Sequence, residues 1–332
     1  MLKKLPPPSW INQQTTNGGV SAHDEKYDGK IVFKGPCDLE IVSSYLKASN
    51  IVREFTYVGS KSTSVEHHNH SISYLTFPFL SENEKHELLA ECAFGDRDMF
   101  ATRMYDTDTA LVFISTLIEG HLGIYRRKKD GFRLVWGEWA YPLTDEANWS
   151  LYIENKVYTG ENHFTEDWLK SFKDQYEFVG RLTPAEVVEN VKTLLTKLPA
   201  TTSLCLMLGS EMPYEKNKKL SYAKREEYHK ELNNMLRELA KDTPRLYLID
   251  FNDFIQSQDD FTNNINHFQR RVYFEAAKAA NEIIAQVTGK KVSEKSWLVR
   301  WTMEKANKIY EELANIQILR KAVRYVKSKV RG

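Results

Sequence analysis

The sequence has few cysteines and almost no net charge, and each of these shortages excludes a class of protein. Its 332 residues contain three cysteines, Cys37, Cys92 and Cys205. Three widely spaced thiols are too few for a disulfide framework or a structural zinc site, and they indicate a reducing compartment. The formal net charge of +1 provides no overall attraction to nucleic acid. We therefore expect no nucleic-acid partner.

Long apolar runs are also missing. No stretch approaches the roughly 20 apolar residues that a membrane-spanning helix needs, and the first residues lack the apolar core of a signal peptide. We therefore expect a cytoplasmic protein. Three consecutive prolines and many polar residues among the first 29 positions predict a flexible N-terminal arm, residues 1–29. A domain spanning residues 30–288 follows, and 42% hydrophobic residues are enough to give it a sizeable core.

A strand, a tight turn and a helix are predicted around Cys37. The apolar run at residues 31–33 ends at Gly35, and apolar residues recur at helical spacing from Leu39 to Leu46. Cys37 then begins a helix at the carboxyl edge of a sheet, where open α/β folds bind ligands and where the helix dipole favours a thiolate. The alternative is a small buried hydrophobic residue, the usual role of a cysteine outside a disulfide.

Apolar runs alternate with helical patterns along the rest of the domain. Strands are predicted at residues 31–33, 52–58, 110–115, 203–208 and 245–250. Helices are predicted at residues 81–93, 164–178, 184–198 and 222–240, with a last helix ending at Val287. The alternation predicts an α/β fold with a mainly parallel five-stranded sheet.

An insertion is predicted after the central strand, near residues 120–160. Residues 124–136 contain a turn signal between two strand patterns and predict a hairpin. Trp136, Trp139, Tyr141 and Trp149 lie close together in this part of the sequence. They either stack against sugar rings or form a small core under the insertion.

Polar residues cluster where the central strand ends, and the loops after parallel strands line the ligand site of such folds. The cluster comprises Glu119, Gly120, His121, Tyr125 and Arg126. Another histidine, His267, precedes the last core helix. It can face the same crevice as Cys37, or it can be a solvated loop residue.

Two further segments have a distinctive composition. His67, His68 and His70 fall within four positions, but no carboxylate or thiolate set at helical spacing completes a ligand group, so we expect a polar loop and no metal. Residues 290–332 contain twelve Lys or Arg against four Glu and predict a basic helical C-terminal extension, residues 289–332. Its apolar stripe either lies on an anionic membrane surface or packs on the domain.

The order of these elements resembles the SGNH/GDSL hydrolase superfamily, a three-layer α/β/α fold with a parallel sheet. Residues 35–37, Gly-Pro-Cys, stand where that superfamily has the Gly-Asp-Ser of its nucleophile block. Residues 207–211 look like its third block, normally Gly-x-Asn-Asp, and residues 264–267 look like its last block, normally Asp-x-x-His. The resemblance covers residues 30–287 and includes cysteine-bearing acetyltransferases assigned to capsule and surface-polysaccharide synthesis.

The resemblance implies an esterase or O-acyltransferase that acts on a carbohydrate. Cys37 would be the nucleophile, His267 the general base and Asn264 the residue that orients His267. The remaining site residues would be Gly35, Gly120 and Ser210 at the oxyanion and Glu119, His121, Tyr125, Arg126 and Glu211 at the substrate. Hydrolysis would need no cofactor, whereas a transferase would use acetyl-coenzyme A (acetyl-CoA) as the donor.

Departures from the superfamily pattern keep a second function open. Cysteine replaces serine, Asn264 stands in place of the aspartate that orients the histidine, and the third block lacks its asparagine. One oxyanion donor is worth roughly 2.7–4 kcal/mol in a hydrolase. The alternative is therefore a non-catalytic glycan-binding or scaffold protein of the same fold, which contacts a membrane surface or another protein through residues 290–332.

Overall fold

A computed structural model describes residues 29–54, 69–92, 97–154, 164–216, 220–262 and 265–294. The predicted N-terminal arm before Gly29 and nearly all of the basic extension lie outside these residues, as do His67, His68 and Asn264. The strands are β1 (Lys30–Lys34), β2 (Leu46–Lys47), β3 (Ile51–Glu54), β4 (Thr109–Ser115), β5 (Leu122–Arg127), β6 (Arg133–Glu138), β7 (Tyr176–Gly180), β8 (Ser203–Leu208), β9 (Leu246–Asp250) and β10 (Ser293–Glu294). The α-helices are α1 (Cys37–Ser44), α2 (Ser71–Thr76), α3 (Glu82–Glu91), α4 (Trp149–Ile153), α5 (Glu166–Gln175), α6 (Pro184–Lys197), α7 (Arg225–Lys241) and α8 (Arg270–Thr288).

The central sheet has five strands, all parallel, in the order β3-β1-β4-β8-β9. The predicted α/β class and the five-stranded parallel sheet are confirmed. From β1 the chain first adds β3 on one side, then crosses to β4 and continues through β8 and β9 on the other. The order therefore reverses between β1 and β4. In open parallel sheets, the crevice at the carboxyl ends of two such strands is the usual ligand site.

Helices cover both faces of this sheet because strand side chains point alternately to one face and the other. On one face, Phe33 stacks on Phe113 with ring centres 4.3 Å apart, and both belong to a core with α1 and α8. On the other face, Val32 and Val112 belong to a core with α2, α6 and α7. The residues in the middle of the sheet are buried on both sides, as their continuous apolar runs predict.

The insertion is larger than the predicted hairpin. A separate antiparallel sheet has the strand order β6-β5-β7, so the insertion continues to Gly180. The helix predicted at residues 164–178 is wrong at its end, since α5 stops at Gln175 and the following residues form β7. Pairing of Phe178 with Tyr125 across the strands holds this segment extended.

The inserted sheet has a core of its own. Trp136 is fully buried and Trp149 is nearly so, and both pack in an aromatic cluster with Tyr152 and Phe172. For these two tryptophans, the small-core alternative is confirmed over exposed stacking platforms. Within the described residues, no helix is both long and apolar enough to cross a membrane.

Candidate active site

The turn after β1 places Cys37 at the carboxyl edge of the sheet. The strand ends at Lys34 and α1 begins at Cys37, with Pro36 as its N-cap residue. The turn is tight, because a Cβ on Gly35 would lie 2.4 Å from Cδ1 of Leu39. A larger residue would push the first turn of α1 away from the strand. The close approach therefore fixes the thiol at the edge of the ligand crevice, where it is partly buried.

His267 meets Cys37 from the segment that leads into α8. Phe261 and Phe268 form an isolated antiparallel bridge, and the N–H of Thr262 donates to the carbonyl of His267 at 2.9 Å. These contacts tie Phe268 to Phe261 and His267 to Thr262. Sγ of Cys37 and Nε2 of His267 lie 3.3 Å apart, a separation that suits a sulfur–nitrogen hydrogen bond. The two residues predicted as nucleophile and base are thus brought together although 230 positions separate them in the sequence.

The protonation of His267 suits a base. Burial lowers the pKa of the imidazole from its ordinary value of 6.5, so the ring is neutral at pH 7. In the tautomer with a bare Nε2, the thiol of Cys37 donates to that nitrogen and can pass its proton there. Asn264, the residue predicted to orient the ring, lies outside the described residues.

A buried carboxyl group beside Cys37 was not among the predicted site residues. Asp38 follows Cys37 in α1 and is 1% exposed, and the hydroxyl of Ser115 at the end of β4 donates to its Oδ2 at 2.6 Å. The N–H of Leu117 donates to the same hydroxyl at 3.2 Å. Asp38 thereby ties the first turn of α1 to the carboxyl end of the neighbouring strand. The signal in the sequence was an acidic residue directly after the thiol.

The predicted oxyanion residues occupy different environments. Gly35 lies in the turn between β1 and α1, packed against Leu39. Gly120 lies in the loop after β4, where its carbonyl accepts a hydrogen bond of 3.1 Å from Arg181. The hydroxyl of Ser210 donates to the carbonyl of Met212 and accepts from the N–H of the same residue. Ser210 is thus engaged with its own loop.

Two of the predicted substrate residues are carboxylates engaged inside the protein. Glu119 is 2% exposed and accepts hydrogen bonds from the N–H and hydroxyl of Ser71 at 2.8 and 2.7 Å. Its Oε2 lies 3.2 Å from Nε2 of His70. Burial raises the pKa of Glu119 to about 7 and lowers that of His70 to about 3. Glu211, shortly after β8, accepts hydrogen bonds from Arg237 and Asn233 on α7.

The three other predicted substrate residues make contacts with residues other than Cys37 and His267. His121 stacks on Tyr222 with ring centres 4.8 Å apart, and Arg126 is exposed and pairs with Glu177 on β7. The structure corrects the predicted placement of Tyr125 at the substrate. It is fully buried in the core of the insertion, and its oxygen accepts from the N–H of Leu143 at 2.9 Å. A ring enclosed in this way has no surface to offer a substrate.

Comparison with protein-family models and with curated proteins finds no match for the chain. The resemblance to SGNH/GDSL hydrolases therefore rests on the order of the sequence blocks. Two structural features bear on function: the reversal of strand order beside β1 and the contact between Cys37 and His267.

Proposed function

We propose that the protein is an SGNH-like esterase or O-acyltransferase that acts on a carbohydrate, in bacterial surface-polysaccharide biosynthesis or modification. The observation that carries the proposal is the 3.3 Å separation of Cys37 Sγ and His267 Nε2. It joins a thiol at a helix N-terminus to a neutral imidazole, in the crevice where folds of this topology bind ligands. Such a pair is the minimum needed for nucleophilic acyl transfer.

The reaction follows from this pair. His267 takes the thiol proton as Sγ of Cys37 attacks the acyl carbonyl carbon, and the carbonyl electron pair moves to oxygen. Backbone N–H groups of Cys37 and of the Gly120 loop hold that oxygen. The carbon–oxygen bond then breaks, the leaving alcohol takes the proton from His267, and an S-acyl group remains. Water or a sugar hydroxyl, deprotonated by His267, attacks this group and releases the thiol. With acetyl-CoA as donor, the leaving group is the coenzyme thiol.

Capture of the acyl group tests the proposal. After brief mixing with an activated acetyl ester and quenching in acid, intact-protein mass spectrometry and peptide mapping should find one acetyl group on Cys37. Cys92 and Cys205 are at most 1% exposed and should stay unmodified. The matched control is Cys37→Ala, which should take up no acetyl group at a cysteine.

A second candidate is the non-catalytic glycan-binding or scaffold protein. It is favoured by the third block, which lacks the superfamily's asparagine, and by the hydroxyl of Ser210, which is bonded within its own loop. Under this alternative, Cys37 gains no acetyl group while the protein still binds glycan. That result would refute the proposal of acyl transfer.

The acid limb of the pH–rate profile should have its midpoint below about 6.5, because burial lowers the pKa of His267. The imidazole must be neutral to accept the thiol proton, so activity is lost as the pH falls through that pKa. Initial rates of acetyl release between pH 4 and pH 8, at roughly constant ionic strength, would measure it. A midpoint above about 7 would assign the limb to another group.

We further propose that the protein works in the cytoplasm and that residues 290–332 contact the inner face of the membrane or another protein. The support is compositional, twelve basic against four acidic residues beside an apolar stripe.

A further inference from the structure

A cavity of about 310 Å³ lies between the inserted sheet and the first turn of α6. Its walls include Arg126 on β5, Arg133 on β6, Arg181 just after β7 and Glu186 on α6. Neither Cys37 nor His267 lines it. Small-molecule sites in proteins have volumes of roughly 300–1,000 Å³. This cavity, called the arginine pocket below, therefore has room for a ligand of about one sugar ring.

The arginine pocket carries one positive charge more than its carboxylates balance. Arg126 pairs with Glu177, and Arg133 lies 3.5 Å from Glu186. Arg181 forms no ion pair with a carboxylate in the part of the chain that the structure describes. Three guanidinium groups thus face two carboxylates, and the excess positive charge suits an anionic ligand.

Strand register places two of these arginines side by side. Arg126 and Arg133 are direct partners across the β5–β6 pair, an arrangement of like charges that destabilises an antiparallel sheet. Glu177 is the partner of Arg126 on the other side, in β7, and offsets part of this repulsion. An anion bound between the arginines would offset the remainder.

Arg181 is held in a fixed orientation. Its Nη1 donates to the carbonyl of Gly120 at 3.1 Å, and its guanidinium carbon lies 4.5 Å from the ring centre of Trp139 and 5.1 Å from that of Tyr228. A guanidinium group has five N–H donors in one plane, so most remain for a ligand. Planar donors suit the paired oxygens of a carboxylate or phosphate.

We propose that the arginine pocket binds the carboxylate or phosphate group of an anionic sugar-sized ligand, with Arg181 as the main contact. Neither Cys37 nor His267 lines the pocket, so binding of the anion does not depend on the thiol. A chain that lacks the thiol should therefore bind the anion as well as the native chain does.

Isothermal titration with three matched ligands tests the proposal: glucose, glucuronate and glucose 6-phosphate. At least one anionic sugar should bind about tenfold more tightly than glucose, and added salt should weaken it. Binding of glucuronate alone identifies a carboxylate site, and binding of glucose 6-phosphate alone identifies a phosphate site. The same affinities should be found with Cys37→Ala, whatever its activity. If neither anion binds better than glucose, the proposal is wrong.

Variants locate the site. Arg181→Gln should weaken binding of the anionic sugar about tenfold or more, and Arg181→Lys, which keeps the charge, should recover part of the loss. Arg97→Gln is the matched control, because the Arg97 side chain is 70% exposed and lies outside the cavity. Unchanged affinity in Arg181→Gln would overturn the assignment. Partial recovery by lysine separates a lost contact from a damaged fold.

Discussion

Replacing Cys37 by alanine is expected to lower acyl hydrolysis or transfer by at least about 10³-fold. Under the proposed function, the substitution removes the atom that attacks the carbonyl carbon and leaves only substrate binding and oxyanion contacts. His267→Ala should cause a loss of similar size, because the thiol then has no neighbouring base at 3.3 Å. Since both residues serve one step, the double variant should be little worse than either single variant.

Initial rates with an acetylated sugar or an activated acetyl ester would measure these losses. Ser44→Ala is a suitable control, since Ser44 lies exposed at the far end of the same helix and should keep full activity. Thermal melts of all variants would show that the fold is intact. If Cys37→Ala kept more than about a tenth of the native rate, another nucleophile would carry the reaction.

Replacing Glu54 by glutamine should lower the free energy of unfolding by about 3–5 kcal/mol. The side chains of Lys34 and Glu54 are 3% and 11% exposed, and Nζ of Lys34 lies 3.6 Å from Oε2 of Glu54. Glutamine would leave the buried ammonium group without a counter-charge. The best remaining contact is the carbonyl of Ala101 at 3.5 Å, and one neutral acceptor does not replace a carboxylate.

Lys34→Met is the matched control for this ion pair. This substitution should lower the free energy of unfolding by less than about 2 kcal/mol, because Glu54 keeps a hydrogen bond of 2.6 Å from the hydroxyl of Thr102. Combining it with Glu54→Gln should restore part of the stability. Urea unfolding curves of the three variants would give the free energies, and equal costs for the two single variants would refute a buried charge as the cause.

The pH dependence of Glu54→Gln provides a further check. Burial lowers the pKa of Lys34 below its ordinary 10.5, and losing the carboxylate lowers that pKa further. Between the lowered pKa of Lys34 in the folded protein and the ordinary value of 10.5, the unfolded chain binds more protons than the folded one. The free energy of unfolding should therefore rise with pH toward 10.5. The native protein should show a weaker rise.

The central sheet could be predicted from the sequence because its strands are buried on both faces. Residues 110–115 and 203–208 are continuous apolar runs, and β4 and β8 match them closely. Strand β7 could not be predicted in this way. Phe172 and Tyr176 are four residues apart, as on one face of a helix, and the pairing with β5 that makes the segment extended involves residues far earlier in the chain, such as Tyr125 with Phe178.

Only part of the candidate site could be predicted from the sequence. Cys37 and His267 could be paired from the sequence because each borders a predicted helix at the carboxyl edge of the sheet. The hydrogen bond between Asp38 and Ser115 and the contact between His70 and Glu119 depend on side-chain directions that no spacing reveals. The burial of Tyr125 follows from the packing of a second sheet, which the sequence indicated only as a hairpin.

The long separation of Cys37 and His267 along the chain has a consequence during protein synthesis. At roughly 5–20 residues per second, the ribosome would need about 10–50 s to add the 230 positions between them. Throughout this interval, the nascent chain carries the thiol without the imidazole that lies beside it in the fold. The two groups meet only when the segment before α8 docks beside β1, so under the proposed function acyl transfer would require the completed domain.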